Sequence, residues 1–274
     1  MTQYFVLSTF RVYSRSMNLY HEYPPHPALA THVACLWTSH ALPATTPLRH
    51  RILPDNCIDI LWQDRAPLGF VAGMMSRAHG FEANVPVLTV AVRLLPGAAR
   101  AFLDLPLHEL QDQHPTLDAL WPRAETERLA AALWECDMTP QQRLAALERA
   151  LLARLAMQAP APADRLARAA IHLIEHAGGS VRIDELARTL GISRQHLALQ
   201  FRERVGLPPK TFAMVGRFRR ASAALRRQTA GPIDWTRLAL DCGYYDQSHL
   251  IHEFRLFADQ TPEAFARPVR SVAS

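Results

Sequence analysis

Lysine is almost absent from this sequence, and so are several patterns that mark common classes of protein. Of the 30 basic residues only Lys210 is a lysine. No apolar run approaches the ~18 residues that a membrane helix needs. The N-terminus lacks the basic start and the long apolar core of a secretory signal. We therefore expect a soluble, cytoplasmic protein with no membrane association.

Cysteine is also scarce and widely spaced. The four cysteines contain no C-x-x-C pair and have no neighbouring histidine at a ligand spacing. This distribution indicates neither a disulfide framework nor a zinc cage. The histidines before residue 115 show no H-x-H or H-x-x-x-H spacing either. The sequence therefore predicts no metal site and no cofactor.

Charge is distributed unevenly along the chain. Residues 1–162 carry 13 basic residues against 14 acidic ones, whereas residues 163–274 carry 17 basic residues against 11 acidic ones. All of the net positive charge, +5 for the whole chain, therefore lies in the C-terminal part. A basic region is compatible with nucleic acid as a partner, although charge alone does not establish one.

The N-terminal part has the pattern of an α+β domain. Residues 1–16 have no clear period, and we expect them to be disordered or to precede the true start at Met17. Within residues 17–123, the segments "HVACLW", "CIDILW", "LGFVAG" and "VLTVAVRLL" predict strands of a small antiparallel or mixed β sheet or barrel, with short helices. Asn56, in a "PDN" turn, predicts a hairpin over residues 50–62.

Helical patterns begin after the β-rich part. Residues 124–157 form a predicted helical connector, in which Thr139, Pro140 and Gln142 have the arrangement of a capping box. The leucine stripe that follows either packs within its own chain or forms a dimer seam. Residues 158–164, "QAPAPAD", alternate alanine and proline and are interpreted as a linker.

The region from 165 to 268 contains one pattern twice. Counted from Ser193 and from Asp246, both good helix N-caps, the two copies share His-Leu at offsets three and four, Phe at eight, Pro at sixteen and Phe at nineteen. A Leu-Ala pair, followed by a glycine four residues after the Ala, precedes each copy. This spacing predicts two helix-turn-helix units, with a long helix from Pro209 to about Gln228 between them.

The second helix of each predicted unit has an outward face that could enter a DNA major groove. Positions at offsets one, two, five, six and nine point away from the core, where Gln and Arg can pair with purines and apolar side chains can contact thymine methyls. With its cap residue, the first set is Ser193, Arg194, Gln195, Ala198, Leu199 and Arg202, and the second, also with its cap, is Asp246, Gln247, Ser248, Ile251, His252 and Arg255.

The segment "LALDCGYYDQSHLIHEFRLFADQTPEAF" resembles the signature of the AraC/XylS family of bacterial transcription regulators. The resemblance covers roughly residues 163–268 and implies an all-α domain that binds double-stranded DNA, with RNA polymerase as a further partner. The family's base-contacting positions carry over to the two outward sets. This chain has Leu199 and His252 where many relatives have Arg. We also expect phosphate contacts from Lys210 and Arg217.

The N-terminal segments "RILPDNCIDILW", "GMMSRA" and "AVRLLPGAARAF" resemble an uncharacterised sensor-like domain of such regulators. An unknown small-molecule or protein effector is therefore expected there, and a homodimer is left open. We take Arg51, Trp62 and Arg93 as candidates for a ligand pocket, although Arg93 could instead pair with a buried acid. No catalytic residue is predicted. The alternative hypothesis is an N-terminal enzyme or DNA-repair acceptor domain, which would need a reactive thiol among the four cysteines. Cys57 lies near His50 and Asp59 in the sequence, but in the predicted hairpin His50 falls near the open end and not beside Cys57.

Overall fold

The structure is a computed structural model that describes residues 19–41, 48–83, 85–157, 162–228 and 231–270. The predicted disordered start, residues 1–16, lies outside these ranges. So do residues 158–161 of the predicted linker. The described chain consists of a β-rich N-terminal region, called the β region below (residues 19–121), and a helical region that follows it.

Two antiparallel arrangements build the β region. The strands are β1 (Leu19–Tyr23), β2 (Val33–Ala41), β3 (Leu48–Ile52), β4 (Ile58–Gln63), β5 (Ala66–Ala72), β6 (His79–Ala83) and β7 (Val87–Leu94). Five of them form one sheet in the order β1-β2-β7-β4-β5, and β3 pairs with β6 in a separate ribbon. The predicted antiparallel sheet is confirmed, and the described strands do not close into a barrel.

The predicted hairpin over residues 50–62 is wrong. Asn56 does take the expected left-handed conformation, with φ of 63°. The two strands that flank this turn belong to different sheets, however, because β3 pairs with β6 while β4 pairs with β5 and β7. A left-handed residue reverses the chain locally but does not select the strand partner, which depends on burial of each face.

One face of the five-stranded sheet is packed against short helices. Residues two apart on a strand share a face, so Ile60 and Trp62 of β4 lie beside Val90 and Val92 of β7. All four are fully buried, and the ring of Trp62 lies 6.3 Å from that of Trp121. The short 3-10 helices are Pro27–Leu29, Ala99–Ala101, Leu107–Leu110 and Leu117–Ala119.

The helical region follows the β region. Its helices are α1 (Arg123–Trp134), α2 (Pro140–Ala156), α3 (Pro162–His176), α4 (Ile183–Thr189), α5 (Arg194–Val205), α6 (Pro209–Arg227), α7 (Trp235–Asp241), α8 (Gln247–Ala258) and α9 (Pro262–Arg270). The capping box of α2 is present, because the Thr139 hydroxyl accepts from the Gln142 amide at 3.3 Å and the Gln142 side chain accepts from the Thr139 amide at 2.8 Å.

The start of α3 differs from the predicted linker. Pro162, Ala163 and Asp164 form its first turn, and the Asp164 carboxylate accepts a hydrogen bond from Arg204 of α5 at 3.0 Å. Proline is favoured at the first helical position and alanine is a strong helix former. The same Ala-Pro composition that indicates a linker therefore also suits a helix start.

The buried residues form two hydrophobic cores, and the boundary between these cores does not fall at the predicted linker. One large core extends from Ile60 and Phe102 of the β region through to Phe201 and Phe212 of the helical region. It also contains Leu144, Leu147 and Leu151 of α2, so the leucine stripe packs within its own chain. A second core holds Phe218, Phe254, Phe257 and their neighbours, and includes Leu53 from the loop after β3.

Candidate DNA-binding surface

Unit one, residues 183–205, is a helix-turn-helix formed by α4 and α5. Gly191 takes φ of 68° in the turn, and a Cβ added there would meet nothing within 4 Å. Glycine is favoured because of this backbone angle and not because of crowding. Ser193 is the N-cap of α5, and its hydroxyl accepts from the His196 amide at 3.1 Å. The predicted turn and cap are both confirmed.

Unit two, residues 235–258, repeats this construction with α7 and α8. Gly243 takes φ of 83° in the turn. The side chain of Asp246 accepts from the His249 amide at 2.7 Å and caps α8. The two predicted N-caps therefore perform the same function, because each supplies an oxygen to an amide that has no partner within its helix.

The interiors of the two units also correspond. Leu197 and Leu250 are buried at the same offset from the cap. The aromatic pair Phe201–Phe212 has a centroid distance of 5.4 Å and an interplanar angle of 77°, and the pair Phe254–Phe265 has values of 5.4 Å and 81°. Edge-to-face contact of this kind is the preferred geometry for aromatic pairs. The repeat in the sequence is therefore a repeat in three dimensions.

The predicted outward positions lie mostly on the surface. In unit one Ser193, Arg194, Gln195, Leu199 and Arg202 are exposed and Ala198 is half-buried; in unit two Asp246, Gln247, Ser248, His252 and Arg255 are exposed and Ile251 is half-buried. Leu199 is 55% exposed, so its side chain is accessible to a partner. We call these sets the first and second recognition faces.

The two predicted phosphate contacts have different surroundings. Lys210 is exposed near the N-terminus of α6. Arg217 is not available to a phosphate, and its prediction is wrong. Its guanidinium donates to the Glu253 carboxylate and to the Gly179 carbonyl oxygen, and its side chain is only 12% exposed. A basic residue on the linking helix is thus used to hold the fold together.

Glu253 is the centre of a buried polar cluster in unit two. Its side chain is fully buried, and it contacts Arg217 from α6 and the His249 ring, with 3.2 Å between His249 Nε2 and Glu253 Oε1. The Tyr244 ring packs edge-on against His249 at 5.2 Å. Burial, followed by the Glu253 charge, raises the pKa of Tyr244 above its usual range. The cluster joins α6, α8 and the turn at Gly179.

The predicted ligand pocket of Arg51, Trp62 and Arg93 does not form. Trp62 is fully buried on the apolar face of the sheet. Arg51 is exposed and donates to the Ala258 carbonyl oxygen at the end of α8. Arg93 is buried between Asp55 and Asp59, with its Nη2 3.1 Å from a carboxylate oxygen of each. The three residues therefore have three different roles, and Arg93 has the buried acidic partners that were its alternative explanation.

Thiol chemistry does not support the alternative hypothesis of a reactive N-terminal cysteine. Burial raises the pKa of Cys35 to about 12. Burial, with the Asp55 charge second, also raises the pKa of Cys57. A nucleophilic cysteine requires the thiolate form, which a raised pKa disfavours.

Among the described residues, no group of three His, Cys, Asp or Glu side chains could hold a metal ion. No helix in the described ranges is long and apolar enough to cross a membrane.

A cleft lined by arginines was not predicted from the sequence. The cleft has a volume of about 560 Å³, and its lining includes Arg219, Arg220, Arg226 and Arg227 of α6 together with Asn56 of the β region. The spacing of these arginines at i, i+1, i+7 and i+8 places them along one side of a helix and is visible in "RFRRASAALRRQ". None of the recognition-face residues lines this cleft.

Comparisons with known proteins agree with this geometry. Residues 186–268 match a family described as a helix-turn-helix domain, and residues 21–116 match a domain of unknown function. No curated protein matches the chain.

Two solved structures are similar to parts of the chain. The C-terminal domain of the two-component response regulator YesN from Fusobacterium nucleatum is 19% identical, with 39% of this chain and 99% of that chain covered and a TM-score of 0.33. ToxT from Vibrio cholerae is 10% identical, with 85% of this chain and 97% of that chain covered and a TM-score of 0.44.

The two N-capped helix-turn-helix units and the family match together identify the class of domain to which the C-terminal region belongs. The C-terminal region is a helix-turn-helix DNA-binding domain. This domain is of the AraC type, as the signature in unit two predicts, so the chain carries the domain with which a transcription regulator binds double-stranded DNA.

Proposed function

We propose that the protein reads double-stranded DNA in a sequence-specific way by placing α5 and α8 in successive major grooves. The observation that carries this proposal is the pair of N-capped helices with exposed recognition faces, one before α6 in the chain and one after it. With 19 residues, α6 is about 28 Å long at ~1.5 Å per residue. Successive major grooves on one face of DNA are about 34 Å apart.

The recognition faces carry the chemistry that base reading requires. Arg194 and Gln195 begin α5, and Gln247 begins α8, where the helix N-terminus enters the groove. Arg pairs with guanine and Gln with adenine through two hydrogen bonds. Leu199 and Ile251 supply apolar contacts for thymine methyl groups. Ser193 and Asp246 act by holding the helix ends, and Lys210 supplies a phosphate contact.

A selection experiment tests this proposal. The purified full-length protein selects bound sequences from a random DNA library, and the affinity of the selected site is then measured against salt concentration. We expect two informative blocks one helical turn apart and a steep loss of affinity as salt rises. Selection without enrichment, or with one block, would contradict reading by both units.

Matched variants assign each block to its unit. Arg194→Ala should relax base preference in one block and Arg255→Ala in the other, each by about 1–3 kcal/mol of discrimination. Arg149→Ala, which removes an exposed arginine from α2, is the control and should leave both blocks unchanged. If Arg194→Ala and Arg255→Ala altered the same block, the assignment of one unit per groove would be wrong.

We further propose that an effector or a partner protein acts through the β region. The end of β3 and the loop that follows it contact α6 and α8, because Asn56 in the loop donates to the Phe212 carbonyl oxygen at 2.9 Å and Arg51 near the end of β3 donates to that of Ala258. A change in this segment would therefore reach α6 and α8 together. DNA affinity measured with and without candidate metabolites tests this control, and Asn56→Ala should weaken it.

RNA polymerase is the proposed partner for regulation, and the cytoplasm is the proposed compartment. Homodimer formation stays a proposal, and the leucines of α2 do not supply its seam because Leu144, Leu147 and Leu151 are buried within the chain. Molar mass in solution, measured with and without DNA, tests whether a dimer forms. A constant monomer mass on DNA that carries one site would contradict it.

A further inference from the structure

The cleft between α3, α6 and α7 has an excess of positive charge. Four arginines and two acids line it, and its remaining wall is largely apolar. The arginines are Arg219, Arg220, Arg226 and Arg227, and the acids are Glu175 and Asp241. With a volume of about 560 Å³, the cleft is within the size range of small-molecule sites in proteins.

The arginines of the cleft differ in how far their guanidinium groups are already used. Arg220 donates to the carbonyl oxygens of Gly178 at 3.0 Å and Asp241 at 2.9 Å, so it holds two turns together. Arg219 and Arg227 form no hydrogen bond or ion pair with any residue in the described ranges. The Nε atom of Arg226 is buried without an acceptor there. Donors of this kind favour an anion with several oxygens.

The rest of the lining favours an organic molecule over a simple ion. Ile174 and Phe212, both buried, form part of the wall, and Ala223 and Leu238 lie on its partly exposed side. A ligand with an anionic end and an apolar body would satisfy both kinds of surface. Small-molecule sites commonly combine an apolar wall with a few polar groups that fix orientation.

The position of the cleft separates it from the recognition faces. Asn56, which hydrogen-bonds to the Phe212 carbonyl oxygen, forms one part of the wall, so the cleft lies at the junction of the β region with α6. No residue of either recognition face lines it. A molecule bound there would contact both the β region and the DNA-binding domain without occupying the base-reading surface.

We propose that this cleft binds a small organic anion carrying carboxylate or phosphate groups. Arg219 and Arg227 bind the anionic groups, and the apolar wall packs against the body of the molecule. This inference goes beyond the proposed DNA reading and does not depend on it, because the cleft can be tested in the absence of DNA.

The test uses the full-length protein with citrate and with inorganic pyrophosphate as probes. Binding is measured by calorimetry and by the shift of the thermal unfolding midpoint, both at constant ionic strength. We expect saturable binding of at least one probe at a single site. The double variant Arg219→Gln with Arg227→Gln should bind at least tenfold more weakly. The absence of saturable binding for both probes would overturn the proposal.

Two further variants separate the cleft from a general effect of charge. Arg128→Gln with Arg149→Gln removes the same charge from two exposed arginines outside the cleft and should bind as the unmodified protein does. Gly216→Leu keeps every arginine but fills the cleft, because a Cβ at Gly216 meets nothing within 4 Å. It should weaken binding at least fivefold. Equal weakening by the two double variants, or full binding by Gly216→Leu, would contradict a specific site.

Measurements of DNA affinity distinguish the two ligands that these arginines could bind, a small anion and a DNA phosphate. With the selected DNA site, the Arg219→Gln, Arg227→Gln variant should keep an affinity within twofold of its control and the same salt dependence. A large loss of DNA affinity with a smaller salt slope, in this variant alone, would show that the arginines bind DNA phosphates and would overturn the proposal. If no variant bound DNA, the proposed function would fail while the anion titration still stood.

Discussion

The two helix-turn-helix units have the same framework but different attachments to the rest of the molecule. The second helix of each is 12 residues long, and in each a phenylalanine, Phe201 or Phe254, packs edge-to-face on a phenylalanine further along the chain, Phe212 or Phe265. In unit one, Leu197 and Phe201 belong to the core that extends into the β region. In unit two, Leu250 and Phe254 belong to a separate core. The repeat thus preserves the shape of a unit and leaves its surroundings free to differ.

The two units also differ in the polar residues that they bury. Unit two buries Glu253 against Arg217 and His249, whereas Gln200 stands at the corresponding offset in unit one and is half-buried. The end of α5 lies against the 3-10 helix Leu107–Leu110 of the β region, where a Cβ at Gly206 would lie 3.1 Å from the Leu107 carbonyl oxygen. Unit one is therefore packed against the β region, whereas unit two has a buried ion pair that joins it to α6.

The largest expected effect is on the free energy of unfolding, and hydrogen exchange then distinguishes the two hydrophobic cores. Phe201→Ala and Phe254→Ala should each lower the free energy of unfolding by about 4 kcal/mol, because both remove a fully buried ring. Only Phe201→Ala should also increase hydrogen exchange in β4 and β7. Exchange measured by mass spectrometry checks this difference. Equal loosening of the sheet by both variants would mean that the molecule has a single cooperative core.

Breaking the ion pair of unit two should have the next largest effect. Arg217→Met leaves the fully buried Glu253 without its arginine and should cost on the order of 3 kcal/mol. Unfolding in urea gives the magnitude, and hydrogen exchange should rise in α8 more than in α5. Arg149→Met, at an exposed position on α2, is the control. An unchanged stability combined with weaker DNA binding would instead restore Arg217 as a phosphate contact.

A smaller effect, a gain in stability, is expected from a substitution in α6, the helix that joins the two units. Gly216→Ala should stabilise the protein by about 0.5–1 kcal/mol, because glycine is unfavourable within a helix and an added Cβ meets open space. The thermal midpoint should rise by about 2 °C. Gly179→Ala is the matched contrast and should destabilise, because its φ is 79° and its Cβ would lie 2.3 Å from the Ala213 carbonyl oxygen.

The smallest effect is on the pH dependence of stability and arises where α3 meets the β region. Burial, followed by the charge of Arg168 on α3, lowers the pKa of His32 below its usual value of 6.5. The folded state thus favours neutral His32, so its contribution to stability is present above about pH 6.5 and is lost as pH falls towards the lower folded-state pKa. His32→Gln should reduce the loss of stability between pH 7 and pH 5. An unchanged pH slope would exclude this contribution.

Much of the helical region could be predicted from local chemistry. The caps at Thr139, Ser193 and Asp246 and the positive φ at Gly191 and Gly243 were predictable because each depends on a few neighbouring residues. The two recognition faces follow from helical periodicity, and their exposure agrees with it. The roles of Arg51 and Arg217 were not predictable, because their partners lie 207 and 36 residues away in the chain.

By itself, the sequence determined the antiparallel β-rich start, the doubled helix-turn-helix and the residues that face outward from it, since periodicity and capping act over one or two turns. Only the tertiary structure decided that β3 and β4 lie in different sheets, that Arg93 pairs with Asp55 and Asp59, and that unit one shares its core with the β region. These outcomes depend on which distant surfaces exclude water together, and burial of this kind leaves no fixed spacing in the chain.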